Sequence, residues 1–242
     1  MTRTALHIQN ESTDPAGLFI EALERAGFTV RTLHPYAGDE LPETLDGIDA
    51  VISGGGLVDT HQAGEHPWLM REIQLTREAL VRGTPFMGLC LGAQVLTEAA
   101  GGTVYRCHPH EIGWHEVELL DAAQGDPLFD GVPHRFQAMQ WHYYACRPAD
   151  GMTELMRNPV SLQALRVGDS AWGTQFHIEV TRTMLLHWLE FGGEDLEANG
   201  YPPDVFLRSL DEHLEDHERV GRTLAERFAR VAAEKTATRA AG

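Results

Sequence analysis

The ten residues from Pro85 to Gln94, PFMGLCLGAQ, decide the fold of this chain. They run from an apolar, strand-like segment into a helix-forming segment, and Cys90 stands at the change, between Gly88 and Gly92. A nucleophile elbow has this layout: a sharp strand-to-helix turn lifts a reactive side chain above a sheet, and glycine on either side tolerates the crowding. The helix dipole favours the thiolate form of such a cysteine. The stretch therefore predicts a cysteine nucleophile that attacks a carbonyl carbon.

Strand and helix patterns alternate in the first hundred residues. The predicted strands are Ala5–Ile8, Phe28–Leu33 and Asp49–Ile52, and the clearest predicted helix is Pro67–Val81. Such alternation is typical of parallel sheets. We therefore predict an α/β fold with a doubly wound, mostly parallel central sheet and flanking helices. Ligands of such sheets bind outside the carboxyl ends of the strands, which is where Cys90 falls.

A helix start is predicted shortly after the first strand. Asp14 is a residue type that caps helix N-termini, and Pro15 suits the first helical position. We therefore expect the Asp14 side chain to cap a helix that runs to about Ala26 and ends at Gly27.

The pattern changes after Gly102, where short strand candidates separated by Gly, Pro and Asp replace the regular alternation. These candidates are Thr103–Arg106, Glu116–Leu120, Phe136–Trp141, Leu162–Val167 and Ala171–Phe176. They predict a small antiparallel extension that returns the chain to the central sheet. Helical patterns follow at Thr181–Phe191, Pro203–Glu215 and Arg219–Glu234. We predict one domain over residues 1–242, with a catalytic core of about residues 1–190 and a C-terminal helical extension of about residues 191–242.

A second chemical pattern lies at residues 172–179, WGTQFHIE. It indicates a strand that leads into His177 and Glu179, and residues two apart in an extended segment lie on the same face. The Glu179 carboxylate can therefore fix the tautomer of His177 while the second ring nitrogen faces the Cys90 thiol. This is the order of nucleophile, base and orienting acid that a catalytic triad requires.

A glycine loop follows the third predicted strand, at residues 54–56. The backbone N–H of Gly55 could join that of Leu91, directly after Cys90. Two such groups form an oxyanion hole, which stabilises the charge that develops on a carbonyl oxygen under attack. Together these features predict covalent catalysis at a cysteine that attacks a carbonyl carbon, without a metal or a cofactor.

The composition argues against several other classes of function. Lys and Arg number 19 against 36 Asp and Glu, and the net charge of −17 opposes binding to nucleic acid or to an anionic membrane. No apolar run approaches the ~20 residues of a membrane span, and the first ten residues lack the pattern of a signal peptide. Three cysteines make an odd number and no disulfide framework, so we expect a cytoplasmic protein.

These segments resemble the class I (triad) glutamine amidotransferases, most closely the free-standing members similar to the amidotransferase domain of guanosine monophosphate synthase. The resemblance covers about residues 45–180. It is carried by residues 53–56 (SGGG), 85–94 (PFMGLCLGAQ), 111–114 (EIGW), 140–142 (QWH) and 172–179 (WGTQFHIE). The family implies hydrolysis of the glutamine side-chain amide through a γ-glutamyl thioester, with release of ammonia.

The resemblance also implies a role for each matching residue. Cys90 would be the nucleophile, His177 the general base and then acid, and Glu179 the orienting carboxylate. Gly55 and Leu91 would supply the oxyanion N–H groups. The implied substrate-binding residues are Gly54, Gln94, Trp141 and His142. The implied partners are glutamine or another γ-glutamyl compound, and an ammonia-accepting synthetase or ligase subunit.

Three departures from the family pattern lie close to these motifs. Gly56 stands where the family often has Pro, which predicts a looser loop. Ile178 also stands where the family often has Pro, but the acid that follows is retained. Tyr143 and Tyr144 replace a common small or acidic pair, which predicts a reshaped rim of the pocket.

Two other functions remain open. A γ-glutamyl peptide hydrolase would form the same thioester but release a different amine, and a non-catalytic interaction module would retain only the scaffold. The chain has no GxxxxGK[ST] phosphate-binding loop, so an ammonia-consuming synthetase would be a separate protein. Cys107 and its neighbouring histidines match no standard zinc-ligand spacing, and no metal site is predicted.

Overall fold

Nine strands form one mixed sheet within residues 3–241, the part of the chain that this computed structural model describes. The predicted domain also included Met1, Thr2 and Gly242, which lie outside the described residues. The strands are β1 (Arg3–Ile8), β2 (Phe28–Leu33), β3 (Ala50–Ser53), β4 (Phe86–Leu89), β5 (Thr103–Leu119), β6 (Arg135–Arg147), β7 (Met152–Arg157), β8 (Leu162–Val167) and β9 (Ala171–Thr174). The α-helices of the same residues are α1 (Gly17–Arg25), α2 (Pro67–Arg82), α3 (Leu91–Ala99), α4 (Arg182–Ala198) and α5 (Pro203–Ala241).

The strand order is β2-β1-β3-β4-β9-β8-β7-β5-β6. The first five strands in this order pair in parallel, and every pairing from β9 to β6 is antiparallel. The α/β class is thus confirmed, but the prediction of a mostly parallel sheet holds only for the half that contains β4. Short turns join β7 to β8 and β8 to β9, and a short turn connects only antiparallel neighbours.

Several predicted boundaries in the antiparallel half were wrong. One strand, β5, covers both Thr103–Arg106 and Glu116–Leu119, with a register shift between Arg106 and Glu111. Pro109 lies in this shift, and proline has no N–H for the ladder. β7 was not predicted. The two helices expected after residue 203 are the single long helix α5.

Strand β4 lies at the centre of the parallel half, between β3 and β9, and is buried on both faces. Met87 and Trp172 pack on one face in a cluster that includes residues of α1 and α5. Phe86 packs on the other face with residues of α2 and α3. Full burial of each such side chain stabilises the fold by roughly 1.5–3 kcal/mol. The strand that leads directly into Cys90 is therefore packed tightly on both faces.

The predicted cap of the first helix is absent. Helix α1 begins at Gly17, its N-cap residue is Ala16, and no side chain caps it. One of the N–H groups at the start of the helix finds a different partner: the Leu18 N–H donates to the Glu179 carbonyl oxygen at 3.3 Å. Asp14 lies three residues before the helix, and its side chain is buried at the site described below.

Within residues 3–241, we find no helix with both the length and the apolar character needed to cross a bilayer.

Candidate active site

Cys90 occupies a strained turn between β4 and α3. Its φ of 50° and ψ of −100° make it the one non-glycine residue with positive φ among the described residues. A Cβ atom at Gly88 would lie 2.4 Å from the carbonyl of Gly92, and one at Gly92 would lie 2.2 Å from the Ser53 oxygen. The backbone is therefore too crowded on both sides of Cys90 for any residue but glycine, as a nucleophile elbow requires.

His177 follows β9, the parallel neighbour of β4, and so comes to the same end of the sheet as Cys90. Its Nδ1–H donates to Glu179 Oε1 at 2.7 Å, which leaves Nε2 for the thiol. The Trp188 ring of α4 stands edge-on to the imidazole, with 4.7 Å between centroids. The structure thus brings the three residues predicted as nucleophile, base and orienting acid into one cluster.

The electrostatic surroundings of His177 favour its charged form. Burial by itself would lower the pKa of His177, but the charges of Cys90, Glu179 and Asp14 and a hydrogen bond with Cys90 raise it well above the usual value. An imidazolium beside the thiol stabilises a thiolate. The site therefore favours an imidazolium at His177, beside the Cys90 sulfur.

The predicted oxyanion loop packs against the start of α3. The Gly92 N–H donates to the Gly54 oxygen at 3.2 Å, and the Asn10 amide donates to the same oxygen at 3.2 Å. Within residues 3–241, neither the Gly55 N–H nor the Leu91 N–H donates to another group of the chain. Both N–H groups are thus free to bind an external oxygen. The loop is anchored by these contacts despite Gly56.

A buried acid supports the same loop from α2. The Ser53 hydroxyl donates to Glu72 Oε1 at 2.6 Å, and the Asn10 amide donates to it at 3.2 Å. Burial raises the pKa of Glu72 to about 7, against the effect of these two hydrogen bonds. Glu72 therefore links the oxyanion loop to Asn10, at the end of β1.

The predicted substrate-binding residues divide into two groups. Gln94 lies one helical turn beyond Cys90, with an Oε1 that is buried and unpartnered among the described residues. The Trp141 carbonyl oxygen lies 3.9 Å from Cys90 Sγ. The His142 ring is instead buried, with Nε2 3.3 Å from Glu111 Oε2 and Nδ1 2.9 Å from the Tyr144 oxygen. The structure thus places the Trp141 carbonyl near the Cys90 sulfur, whereas the His142 ring faces Glu111.

Glu111 is the centre of a buried polar network that holds this part of β6. Its carboxylate accepts hydrogen bonds from the side chains of Asn158, Ser161 and Gln163, the last at 2.9 Å. Burial would raise the pKa of Glu111, but His142 and the Asn158 amide bring it below the ordinary value. The EIGW motif thus supplies a charge that fixes His142 rather than one that faces the nucleophile.

Sequence reasoning missed Asp14, Gln175 and Trp188. Gln175 is buried, and its Nε2 donates to Cys90 Sγ at 3.7 Å. The Trp188 Nε1–H donates to the Thr13 oxygen at 2.9 Å, so this ring ties the segment before α1 to the site. Gln175 lies within the WGTQFHIE motif, whereas no motif of the sequence marks Trp188.

The two tyrosines at the predicted rim point to different neighbours. The Tyr143 hydroxyl donates to Asp195 Oδ2 at 2.7 Å. The Tyr144 ring contacts His61, with 5.2 Å between centroids, and the Arg106 guanidinium lies 6.0 Å from the same ring. Tyr144 therefore joins β6 to the loop that follows the glycine turn.

We expect the three cysteines to differ strongly in their reaction with iodoacetamide at pH 7.5. Burial raises the pKa of Cys107 to about 11 and that of Cys146 to about 12, so both remain thiols until strongly alkaline pH. Cys90 has His177 beside it and should be alkylated first. Peptide mass mapping of the time course checks this order. Equal or faster labelling of Cys107 or Cys146 in the folded protein would contradict it.

The chain matches a family of known proteins. The family model for glutamine amidotransferase class-I matches residues 17–190. The chain is 27% identical over 210 residues to the glutamine amidotransferase-like protein YfeJ of Salmonella typhimurium, covering 85% of this chain and 87% of that protein. It is 33% identical over 162 residues to the glutamine-hydrolysing GMP synthase of Aeropyrum pernix, covering 64% of this chain and 30% of that longer protein.

Two further matches bear on function and fold. The chain is 26% identical over 179 residues to the γ-glutamyl-L-1-hydroxyisopropylamide hydrolase of a Pseudomonas species, covering 69% of this chain and 60% of that protein. A crystal structure of a glutamine amidotransferase from Thermotoga maritima superimposes with a TM-score of 0.83 at 26% identity, covering 95% of this chain and 99% of that one. The chain therefore belongs to the class I glutamine amidotransferase family.

Proposed function

We propose that this chain hydrolyses the side-chain amide of glutamine at Cys90 and delivers the ammonia to a separate synthetase. The observation that carries the proposal is the strained Cys90 beside a His177 that is hydrogen-bonded to a buried carboxylate. Family membership supports amide chemistry at this position.

The first half-reaction forms a thioester. The Cys90 thiolate attacks the amide carbon of glutamine, and the N–H groups of Gly55 and Leu91 bind the resulting oxyanion. Each such donor contributes roughly 10²–10³-fold to the rate. The His177 imidazolium gives its proton to the nitrogen, the C–N bond breaks, and ammonia leaves.

The second half-reaction releases glutamate. Neutral His177 takes a proton from water, and the hydroxide formed attacks the thioester carbon. The tetrahedral intermediate collapses, the C–S bond breaks, and His177 is left protonated beside the Cys90 thiolate. Glutamine and water are thus converted into glutamate and ammonia, and the ion pair is restored.

The delivery of ammonia to a partner rests on the relatives. The relative from Aeropyrum pernix is named as a glutamine-hydrolysing GMP synthase, and this chain matches 30% of its length. We infer from this likeness that a synthetase uses the ammonia released at Cys90.

A second candidate is hydrolysis of a γ-glutamyl amide larger than glutamine. The similarity to the γ-glutamyl-L-1-hydroxyisopropylamide hydrolase favours it. The chemistry is the same, but the leaving group is a substituted amine that needs room beyond the scissile bond. Tyr144, with His61 and Arg106 around its ring, lies three residues after Trp141, whose carbonyl oxygen is 3.9 Å from Cys90 Sγ.

A comparison of substrates on the purified chain tests both candidates. We would measure glutamate release from glutamine, a γ-glutamyl alkylamide and a γ-glutamyl dipeptide, and compare kcat/KM. Under the first proposal, we expect glutamine to have the highest kcat/KM of the three substrates. A preference of about 100-fold for either larger amide, equivalent to about 2.7 kcal/mol, would move the assignment to the second candidate.

A covalent probe distinguishes a chain without a reactive Cys90 from a chain that hydrolyses amides only with its partner protein. A diazoketone analogue of glutamine should alkylate Cys90 and leave the Cys90→Ala variant unlabelled. Failure of the chain to hydrolyse any of the three amides, together with failure of this label, would contradict both candidates.

A further inference from the structure

A second carboxyl group faces the imidazole of His177. Asp14 Oδ2 lies 3.7 Å from Nδ1, the same nitrogen that binds Glu179 at 2.7 Å. Oxygen atoms of Asp14 and Glu179 and a nitrogen of His177 lie within 4.8 Å of one another. Asp14 is 5% exposed and Glu179 is fully buried. Two acidic groups therefore share one buried histidine.

Each of these acids has a buried oxygen without a donor. Among the described residues, Asp14 Oδ1 and Glu179 Oε2 accept no hydrogen bond. Unpaired carboxylate oxygens in a buried site are costly, and a negative charge on one carboxylate disfavours the ionised form of its neighbour. One proton shared by the two groups reduces both costs, because it converts one acid into a donor.

The structure indicates which acid holds this proton. Burial raises the pKa of Asp14 to about 7, and the charge of Glu179 and a hydrogen bond to it act in the same direction against the opposing charge of His177. Glu179 makes the shorter contact with the imidazole and is better stabilised as the anion. Asp14 is then the carboxylic acid, and Glu179 accepts its proton.

We propose that Asp14 is a positioning residue that holds a proton against the Glu179 carboxylate and thereby keeps Glu179 aligned on His177. The inference rests on the proposed function of His177 and adds a fourth member to the group. Asp14 has no contact with the nucleophile in this role and acts through Glu179.

The backbone around Asp14 is built to keep it there. A Cβ atom at Gly55 would lie 1.9 Å from Asp14 Oδ2 and 2.9 Å from His177 Cε1, so only glycine at this position leaves room for the acid. On the other side, Trp188 donates to the Thr13 oxygen. The predicted oxyanion loop and helix α4 thus enclose the Asp14 carboxyl.

The proton on Asp14 makes the site sensitive to pH near neutrality. The other titratable groups around it are His177 and Glu179 after β9, Glu11 on its own loop, Glu72 of α2 near Asn10, and His217 of α5 behind His177. Loss of the Asp14 proton places a second negative charge against Glu179 and removes its hydrogen bond. We expect kcat to fall as pH rises through about 7, the pKa of Asp14.

Two substitutions of Asp14 separate positioning from simple packing. Asp14→Asn keeps the shape and supplies a permanent N–H donor to Glu179, so kcat at pH 6 should stay within about threefold of wild type and the fall near pH 7 should disappear. Asp14→Ala has no donor, so it should lower kcat about tenfold at pH 6 with little change in KM, and its kcat should show no further fall near pH 7. Identical pH profiles of wild type and Asp14→Asn would overturn the proposal.

Infrared spectroscopy tests the proton without any turnover. Wild type at pH 6 should show the C=O stretch of a buried carboxylic acid that is absent in Asp14→Asn and fades as pH rises through about 7. Glu72 is a second buried acid in this range, so Glu72→Gln assigns its separate band. If the chain hydrolyses no amide, this measurement still decides the inference. Absence of an Asp14 band at pH 6 would overturn it whatever the activity.

Discussion

Replacing Cys90 by alanine is expected to lower kcat for amide hydrolysis by roughly 10⁶-fold, the order of magnitude found when the nucleophile of a triad is removed. Without the sulfur no thioester forms, and His177, Glu179 and the oxyanion N–H groups can act only on water. Steady-state release of glutamate from the preferred γ-glutamyl substrate measures the loss.

The matched control is Cys107→Ala. It removes another buried thiol, one that donates to the Tyr143 oxygen at 3.2 Å and takes no part in the triad. Its kcat should stay within about threefold of wild type. Amide hydrolysis that survives Cys90→Ala at more than a few per cent would defeat the assignment of the nucleophile.

The second large effect is expected at Gly92, where alanine should destabilise the protein by about 3 kcal/mol or more. The added Cβ would lie 2.2 Å from the Ser53 oxygen and 2.8 Å from the Ser53 carbonyl carbon, both of which belong to the backbone of β3. Neither the strand nor the start of α3 can move freely, because both are buried. Urea unfolding gives the change in the free energy of unfolding.

Gly193→Ala is the control for this substitution. Gly193 lies in α4, where an added Cβ meets no atom within 4 Å, and alanine favours helix by about 0.5–1 kcal/mol over glycine. Stability should therefore stay the same or rise slightly. If Gly92→Ala unfolds at the same urea concentration as wild type, the elbow is looser than its geometry implies.

The local sequence predicted the parts of the site that depend on neighbouring residues. The glycines around Cys90 and the spacing of His177 and Glu179 act over a few residues, so the elbow and the histidine–carboxylate pair could be located without a structure. The catalytic roles of these residues, and the extent of the single domain, stay predictions that the experiments above test.

The features that the sequence could not predict depend on contacts between distant parts of the chain. Asp14 before Pro15 has the pattern of a helix cap, but the contacts that bury it come from His177 and Glu179, far along the chain. In the same way, the direction of the His142 ring depends on Glu111 across the β5–β6 pair. The continuity of β5 was hidden because Pro109 interrupts the local strand pattern within a pairing that resumes at Glu111.

The position of β9 beside β4 has a consequence during synthesis on the ribosome. Residues 171–174 are the last strand to be made, yet they pair along the edge of β4. A nascent chain that has emerged only as far as α3 therefore presents β4 with an open edge, which is a surface that chaperones or other chains can pair with. Such a fragment already has the elbow thiol, but His177, the proposed base, has not been translated. Premature termination before residue 177 would thus leave inert fragments instead of an unregulated hydrolase.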